Sequence, residues 1–467
     1  MQRLSTFCRR LALACGLLVA STTAWSYAIQ AGKVVDGAGN AVQLRGVNWF
    51  GFETQTHVVH GLWARNWQDM ITQMQQSGFN AVRLPFCPAS LNGNPPTSID
   101  YSRNADLQGL SAIQVMDKII LELSNRGMYV LLDHHTPDCQ TISELWYTPG
   151  YSEQQWIGDL VFMAQRYAAV PGVIGMDIKN EPHGAATWGT GNNATDWNRA
   201  AERAAAAVLQ AAPQWLIAVE GIGENPSCSG SNAHFWGGNL EPMACTPLNI
   251  PANRLLLAPH TYGPDVYAQP YFNAANFPSN MPAIWDQHFG QFAQAGHAVV
   301  LGEFGGKYGR GDARDVLWQN ALVDYLAARG MRSGFYWSWN PNSGDTGGIL
   351  DDDWTAVRTD KVQLLRRLWG DGTTTTPTPT PVPAAQFAVQ QTVNSDWGAG
   401  YCQQVKVTNT GTATGNWAIT IPVIGTINNL WNATWTQAGS NLSAYGVGWN
   451  QTLAPGAAAE FGFCAVR

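Results

Sequence analysis

The sequence predicts an eight-stranded parallel β/α barrel followed by a small antiparallel β-sandwich, and three observations carry that prediction. Eight short β-rich runs alternate with amphipathic helical patterns between residues 29 and 370. A Thr-Pro run from Asp371 to Pro383 then interrupts the chain. Beyond it, residues 384–467 hold short β runs separated by Gly, Asn and Thr, with no helical period.

The N-terminus reads as an export signal. Arg3, Arg9 and Arg10 precede a short apolar stretch from Leu11 to Ala20, and small residues follow to Ser26 or Ala28. Such a stretch is too short to span a bilayer, so residues 1–28 are expected to be a cleavable secretory peptide and the mature protein to be soluble and extracellular. Those residues carry three arginines and no acids, so their removal takes the net charge from −7 to −10. An acidic chain lacks the basic patches that nucleic acid and anionic membranes demand. Only 13% of residues are charged, against 21 Trp and 48 Gly, a balance suited to binding a neutral ligand on aromatic faces.

Six of the eight cysteines remain after the signal, an even number for an oxidising compartment, and no Cys-x-x-Cys pair suggests zinc or redox chemistry. Six cysteines allow 15 pairings; proximity in the inferred fold favours Cys87–Cys139, Cys228–Cys245 and Cys402–Cys464. The Thr-Pro run cannot bury a core and its prolines keep it extended, which makes it a semi-rigid linker.

The eight barrel runs are Gln43–Trp49, Asn80–Leu84, Tyr129–His135, Val173–Glu181, Trp215–Glu220, Leu255–His260, Val299–Glu303 and Gly334–Trp339. Helical periods over Ile113–Arg126, Glu153–Ala169, Trp197–Ala212 and Val316–Ala328 lie between them. An open doubly wound sheet is the competing arrangement on this pattern alone. In the small region the runs are Gln404–Thr408, Trp417–Pro422, Ala444–Trp449 and Ala458–Phe463.

Each barrel run begins apolar and ends in polar or aromatic groups, among them Asn48, Arg83, His134, His135, Asn180, Glu181, Glu220, His260, Glu303 and Trp337. Strand C-terminal ends converge on one barrel face, and that face carries the active site. Glu181 and Glu303 end the fourth and seventh runs, roughly opposite across the mouth. Glycoside hydrolysis needs such a pair, one carboxyl to protonate the leaving oxygen and one to attack the anomeric carbon or activate water. Arg83, placed beside Glu303, would favour an ionised nucleophile there, while desolvation would keep Glu181 protonated as the acid. His134-His135 lacks a third residue at metal spacing, and Asp351-Asp352-Asp353 reads as a solvated acidic loop. Neither metal nor cofactor is expected.

Asn80-Ala81-Val82-Arg83-Leu84-Pro85, Asp133-His134-His135, Asn180-Glu181-Pro182-His183, His260-Thr261-Tyr262, Gly302-Glu303-Phe304-Gly305 and Trp337-Ser338-Trp339-Asn340 resemble glycoside hydrolase family 5, and in particular its bacterial endoglucanases. Val47 to Thr54 and Gly344 to Leu350 extend the likeness, which runs from about Tyr27 to Trp369 in order. The resemblance implies a retaining endo-β-1,4-glucanase with Glu181 as acid/base and Glu303 as nucleophile. It implies that Asn180 bonds the sugar 2-hydroxyl, that Tyr262 holds the nucleophile, that His135 and His260 line the sugar site beside the scissile bond, and that Trp337 stacks beneath that sugar. Trp49, Trp146 and Trp236 are expected as platforms in further subsites. Lys179 and Thr261 depart from close relatives, which can carry His and Asp there.

Residues 384–467 resemble the family 2 carbohydrate-binding module through Asp396 to Tyr401, Thr408 to Gly411, Leu430 to Ala433, Trp449-Asn450 and Phe461-Gly462-Phe463. That likeness implies a flat strip of Trp397, Trp431 and Trp449 for crystalline cellulose, with Trp417 in the core. It also implies a module shortened after Cys464. Cellulose or a related β-glucan is the expected partner of a monomeric enzyme. A β-mannanase or mixed-linkage glucanase on the same fold, and a non-catalytic polysaccharide-binding protein, are the alternatives.

Overall fold

The structure is a computed structural model that describes residues 26–224, 228, 233–371, 387–411 and 414–467. Residues 1–25 of the expected export signal 1–28, and residues 372–383 of the expected linker 371–383, lie outside the described residues. The chain divides into two compact units, one on either side of the Thr-Pro run.

Parallel strands β1 (Arg45–Asn48), β2 (Ala81–Phe86), β3 (Tyr129–His134), β4 (Val173–Asp177), β5 (Leu216–Val219) and β6 (Leu255–Leu257) pair in chain order. The seventh strand, β7, is split at Val300 into Ala298–Val299, paired with β6, and Leu301–Phe304, paired with β8 (Gly334–Tyr336). β8 pairs with β1, and a parallel bridge from His260 to Glu303 spans the remaining seam, so the sheet closes as a barrel. All eight expected runs become strands, but several stop short: the fourth ends at Asp177, leaving Ile178 to Glu181 as the loop that carries the site.

Helices α1 (Trp67–Gln76), α2 (Ala112–Asn125), α3 (Glu153–Tyr167), α4 (Trp197–Ala211), α5 (Ala313–Ala328) and α6 (Thr359–Trp369) clothe the barrel. Their starts are written in local chemistry. Asn66 accepts from the backbone of Gln68 and Asp69, and Ser152 with Gln155 forms a capping box. α6 ends on Gly370 at φ 86°, where a side chain would be strained. Between β5 and β6 the described residues hold only a short 3₁₀ turn, Glu241–Ala244, and between β6 and β7 a second one, Pro270–Asn273, and a broken helix over 281–294.

Two apolar layers result. One lies between strands and helices; the other fills the barrel, with Leu44, Ala81, Leu131, Ile174, Leu216, Ala218, Leu256, Ala258 and Phe335, joined by Tyr27, Ile29 and Val34 from an N-terminal hairpin. Two residues further along the same inward rows, apolar gives way to ionisable: Ala81 to Arg83, Leu131 to Asp133, Ala218 to Glu220, Ala258 to His260. The disulfide Cys87–Cys139 ties the loops after β2 and β3, and Cys228–Cys245 lies in the β5–β6 connection. Among the described residues no helix is long and apolar enough to cross a membrane.

The second unit is antiparallel throughout. β9 (Phe387–Asp396), β10 (Gly400–Asn409), β15 (Ala458–Val466) and β12 (Thr426–Trp431) pair in that order. β11 (Ala418–Pro422), β14 (Asn441–Tyr445) and β13 (Thr434–Ala438) form a three-stranded sheet. Val405, Val407, Trp417, Leu442, Phe461 and Phe463 fill the core. The expected strand Ala444–Trp449 shifts to Asn441–Tyr445, because Gly446 and Gly448 open a turn that presents Trp449 instead of pairing it. β9, β12 and β13 carry polar outer faces and were not foreseen.

Close packing of the barrel makes one glycine testable. A Cβ on Gly175 in β4 would fall 2.0 Å from the Leu216 carbonyl oxygen of β5. Gly175→Ala should cost at least about 1–3 kcal/mol as the strands part, read as a lowered urea midpoint by tryptophan fluorescence.

Candidate active site

Arg83 is fully buried at the end of β2 and organises the barrel mouth. Its guanidinium lies 3.1 Å from Asp133, 3.0 Å from Asp177, 3.3 Å from Glu220 and 2.6 Å from Glu303, and it donates to Asn48 and Asn180 at 3.0 and 3.1 Å. Burial opposes its charge, but the four carboxyl groups hold its pKa well above the ordinary value. A single cation therefore fixes four acids from four different strands or their following loops.

Glu303 is clamped at both oxygens: Oε1 accepts from Arg83 at 2.6 Å and Oε2 from the Tyr262 hydroxyl at 2.6 Å. Glu181 faces it. Oxygens of the two carboxyl groups and His260 Nδ1 lie within 4.8 Å of one another. Burial pushes the Glu181 pKa up, and the Glu303 charge adds to it, although the 3.1 Å hydrogen bond with His260 pulls the other way. Glu181 sits at φ 52°, a left-handed conformation uncommon for a non-glycine residue, and its N–H donates to Glu220 Oε2 at 2.8 Å. Glu220 thus anchors the turn that aims the acid.

The imidazoles are set by the same network. His260 lies 3.1 Å from Glu181, 3.1 Å from Glu220 and 3.6 Å from Glu303; burial disfavours its charge, yet Glu220 and Glu303 hold its pKa well above normal. His135 is buried, and Asp133 at 2.6 Å raises its pKa against that burial. Asp177 is pushed well up by burial and by Glu220. Lys179, pulled down to about 8 by burial, donates to the carbonyls of Ser143 and Asn180 and so braces the loop before Glu181. His134 is a core residue, bonded to Tyr151 at 3.0 Å and pushed down to about 3 by burial.

Several of these groups could in shape hold a cation, Asp177–Glu220–His260 among them. The positive charge such a cluster calls for is already supplied by Arg83. The His57–Cys87–Cys139 group has both sulfurs in a disulfide.

The aromatic expectations divide. Trp337 is half-buried, stacked on His135 at 5.5 Å and Phe50 at 5.4 Å, and its indole donates to Ser343. Trp236 is exposed and stacks on His183 with ring centroids 3.6 Å apart. Trp49 and Trp146 correct the sequence reading. Trp49 is wholly buried with its N–H on the His60 carbonyl; Trp146 is 1% exposed, packs against Trp156 and Trp197, and donates to Glu153. Neither offers a face to a sugar, because both fill the layer between barrel and helices.

Sequence reasoning named Glu220 only as a strand-end group and Asp133 only within a motif, without a site role, and passed over Asp177 and Glu53. Glu53 accepts from the Gly51 N–H at 2.7 Å and is pushed up to about 7 by burial, His135 pulling the other way. The signal for the others was an acid at an inward position of an otherwise apolar strand.

In the small unit, Cys402 and Cys464 are cross-strand partners on β10 and β15, joined by a disulfide. Trp397 lies against Gly400 and Trp431 against Gly462, where added Cβ atoms would sit 2.7 and 2.2 Å from the rings. Gly400, Cys402 and Gln404 alternate to the outer face, and Gly462 pairs with Gln404, so both rings share that face with the disulfide between them. Trp397 is 52% exposed and Trp449 76%; Asn450 bonds the Asn432 carbonyl, bringing the Trp449 turn beside Trp431.

Buried and surface charges should behave oppositely. Arg83→Met leaves several carboxyl groups without a counter-charge and should destabilise by roughly 3–5 kcal/mol. Arg310→Met, which breaks an exposed pair with Asp351, should cost only about 0–1 kcal/mol in the same denaturation experiment.

Comparison with known proteins agrees with this geometry. Residues 35–343 match the cellulase family, glycosyl hydrolase family 5, and residues 387–467 match the cellulose binding domain family. The major extracellular endoglucanase of Xanthomonas campestris pv. campestris is 65% identical over 97% of this chain and 98% of its own length. The solved catalytic domain of the major endoglucanase from that organism is 70% identical, covering 74% of this chain and 100% of that one at a TM-score of 0.73. A variant endocellulase of Pyrococcus horikoshii, solved in complex with cellotetraose, is 48% identical over 74% of this chain and 99% of its own, at a TM-score of 0.72. With its barrel and its mouth of carboxylates matched along most of their length, this chain belongs to glycosyl hydrolase family 5, the cellulases.

Proposed function

We propose that the protein is a secreted, monomeric endo-β-1,4-glucanase that hydrolyses internal bonds of cellulose with retention of configuration. The observation that carries the mechanism is the separation of the two carboxyl groups. Retaining enzymes keep theirs about 5–5.5 Å apart, whereas inverting enzymes leave about 6.5–9.5 Å for a water. One oxygen of Glu181 lies within 4.8 Å of an oxygen of Glu303, which supports the closer, retaining arrangement.

Glu303 attacks the anomeric carbon while Glu181, kept protonated by burial, gives its proton to the leaving glycosidic oxygen. A glycosyl ester on Glu303 forms and the C1–O bond breaks. Glu181, now a carboxylate, then takes a proton from water as it attacks C1 and releases Glu303. Tyr262 and Arg83 orient the nucleophile, and Asn180, held by Arg83, directs its amide to the 2-hydroxyl. His135 and His260 line the same sugar site, which Trp337 floors. Trp236 offers a platform beyond it.

The chemistry of a barrel mouth lined by neutral donors and aromatic faces suits an uncharged glucan, and the cellotetraose bound to the Pyrococcus relative supports the same class. The domain behind the linker holds the enzyme on the solid through Trp397, Trp431 and Trp449, raising local concentration without new contacts in the cleft. Export by residues 1–28 accords with the extracellular relative.

Proton NMR of fresh cello-oligosaccharide products should show the β-anomer first; α-anomer would overturn retention. Reducing-sugar release from carboxymethylcellulose should exceed that from mannan or xylan and vanish in Glu303→Gln; a preference for mannan would replace the substrate. The sign of the pH dependence also follows. Activity should fall as pH rises through the raised Glu181 pKa, because the proton-donating form is lost. Removing the neighbouring charge in Glu303→Gln should lower that pKa, seen by carbon-13 NMR of labelled Glu181. Trp397→Ala should release the enzyme from insoluble cellulose while hydrolysis of the soluble derivative persists.

A further inference from the structure

Tyr262 and Glu303 stand at the mouth ends of β6 and β7, where the Thr261 N–H donates to the Glu303 carbonyl at 3.1 Å. Further out, two acids tie the loops that follow. Asp265, three residues past Tyr262, accepts from the Lys307 N–H at 2.9 Å and from the Asp312 N–H at 2.6 Å. Asp315, in the first turn of α5, accepts through Oδ2 from the Tyr308 N–H at 3.1 Å and from the Gln319 amide at 2.6 Å. The two carboxyl groups thus grip consecutive residues of the segment that leaves Glu303.

Asp315 is wholly buried, and its second oxygen, Oδ1, has no hydrogen-bond donor among the described residues. Glycines at 263 and 306 let it come this close, since a Cβ on either would lie 2.4 or 2.5 Å from that oxygen. What meets the Asp315 carboxyl from the β6 loop is the carboxyl of Asp265, at hydrogen-bonding range. Two ionised acids in such contact repel, whereas one proton between them supplies the missing donor. Burial pushes the Asp315 pKa up to about 7, and the Asp265 charge adds to it, against the pull of Gln319 and the Tyr308 N–H.

The other ionisable groups around Asp315 are Tyr308, Tyr336 on β8 and Lys361 on α6. Burial lifts both tyrosines, so they stay neutral, and Tyr336 donates to Gln319 at 3.0 Å. Lys361 is pulled down to about 7 by burial and donates to the Thr346 and Gly348 carbonyls, while Arg358 is paired with Asp360.

We infer that Asp265 and Asp315 share one proton across the loops after β6 and β7, and that this joint holds Tyr262 against the nucleophile Glu303. Both are positioning residues, and the inference rests on the role given above to Glu303. Loss of the proton leaves two like charges pushing the loops apart, and the Tyr262–Glu303 hydrogen bond loosens with them.

The test uses the full-length enzyme on dinitrophenyl β-cellobioside, whose leaving group departs without a proton from Glu181, so the profile is free of the acid's own titration. In wild type, kcat/KM should fall about tenfold between about pH 6 and about pH 8, as Tyr262 drifts from Glu303. Asp315→Asn puts an amide donor where the shared proton lies, so it should match wild type at the lower pH and keep that rate at the higher. Asp265→Asn also places a donor between the pair, at the loss of one backbone acceptor, and should abolish the fall too. Asp315→Ala should be slow at both. A flat wild-type profile, or a fall that persists in Asp315→Asn, would overturn the shared proton. Asp315→Asn as slow as Asp315→Ala would overturn it as well, because the site would then need charge in place of a proton. Wild-type release of α-anomer would instead overturn the role of Glu303, while the contrast between Asp315→Asn and Asp315→Ala reports on the pair whatever that role is.

Discussion

A buried guanidinium holds this catalytic centre together. Arg83 is inaccessible to water and touches Asp133, Asp177, Glu220 and Glu303, each delivered by a different barrel strand. Carboxyl groups at such separations repel strongly in a low dielectric, and desolvation penalises each of them. The network persists because the cation compensates several acids at once and because Asn48 and Asn180 use its remaining donors. Its value is geometric more than energetic: a planar fork fixes the angles between groups that meet only by closure of the barrel.

From that centre the roles of the outer residues follow. Glu303 is oriented by Arg83 and Tyr262 together, while Glu181 receives no guanidinium contact and is left to burial and His260. Two carboxyl groups of one chemical type thus acquire different electrostatic surroundings from their neighbours alone. Glu220, which never faces the cleft, reaches Arg83 on one oxygen and the strained Glu181 backbone on the other. It couples the buried charge network to the aim of the acid.

The second domain solves a different problem with a similar economy. Its core is small, so a cross-strand disulfide reinforces the outer face of β10 and β15. Glycines at 400 and 462 leave room for Trp397 and Trp431 on that face. Exposed indoles on a flat sheet are costly in water and favourable against an extended, flat polysaccharide surface.

The barrel and its chemistry were legible in the chain because both depend on local pattern. Strand runs alternate with helical periods, and polar groups recur at the strand ends, so the pairing of Glu181 with Glu303 and the place of Arg83 could be read before any coordinates. Periodicity marks which positions turn inward, but not how far a loop then covers them. Trp49 and Trp146 show the limit: one follows the end of β1 and the other lies in the connection after β3, yet His60 and Glu153 take their indole N–H groups and the surrounding helices and loops close over the rings. Asp177 and Glu220 show it from the other side, as acids whose partner lies 94 and 137 residues away in sequence. The sequence by itself determined the fold class and the meeting of Glu181 and Glu303 at the barrel mouth. Only tertiary structure decided which aromatics face solvent and which acids share one cation, since burial and charge compensation are properties of residues brought together by closure, not of neighbours along the chain.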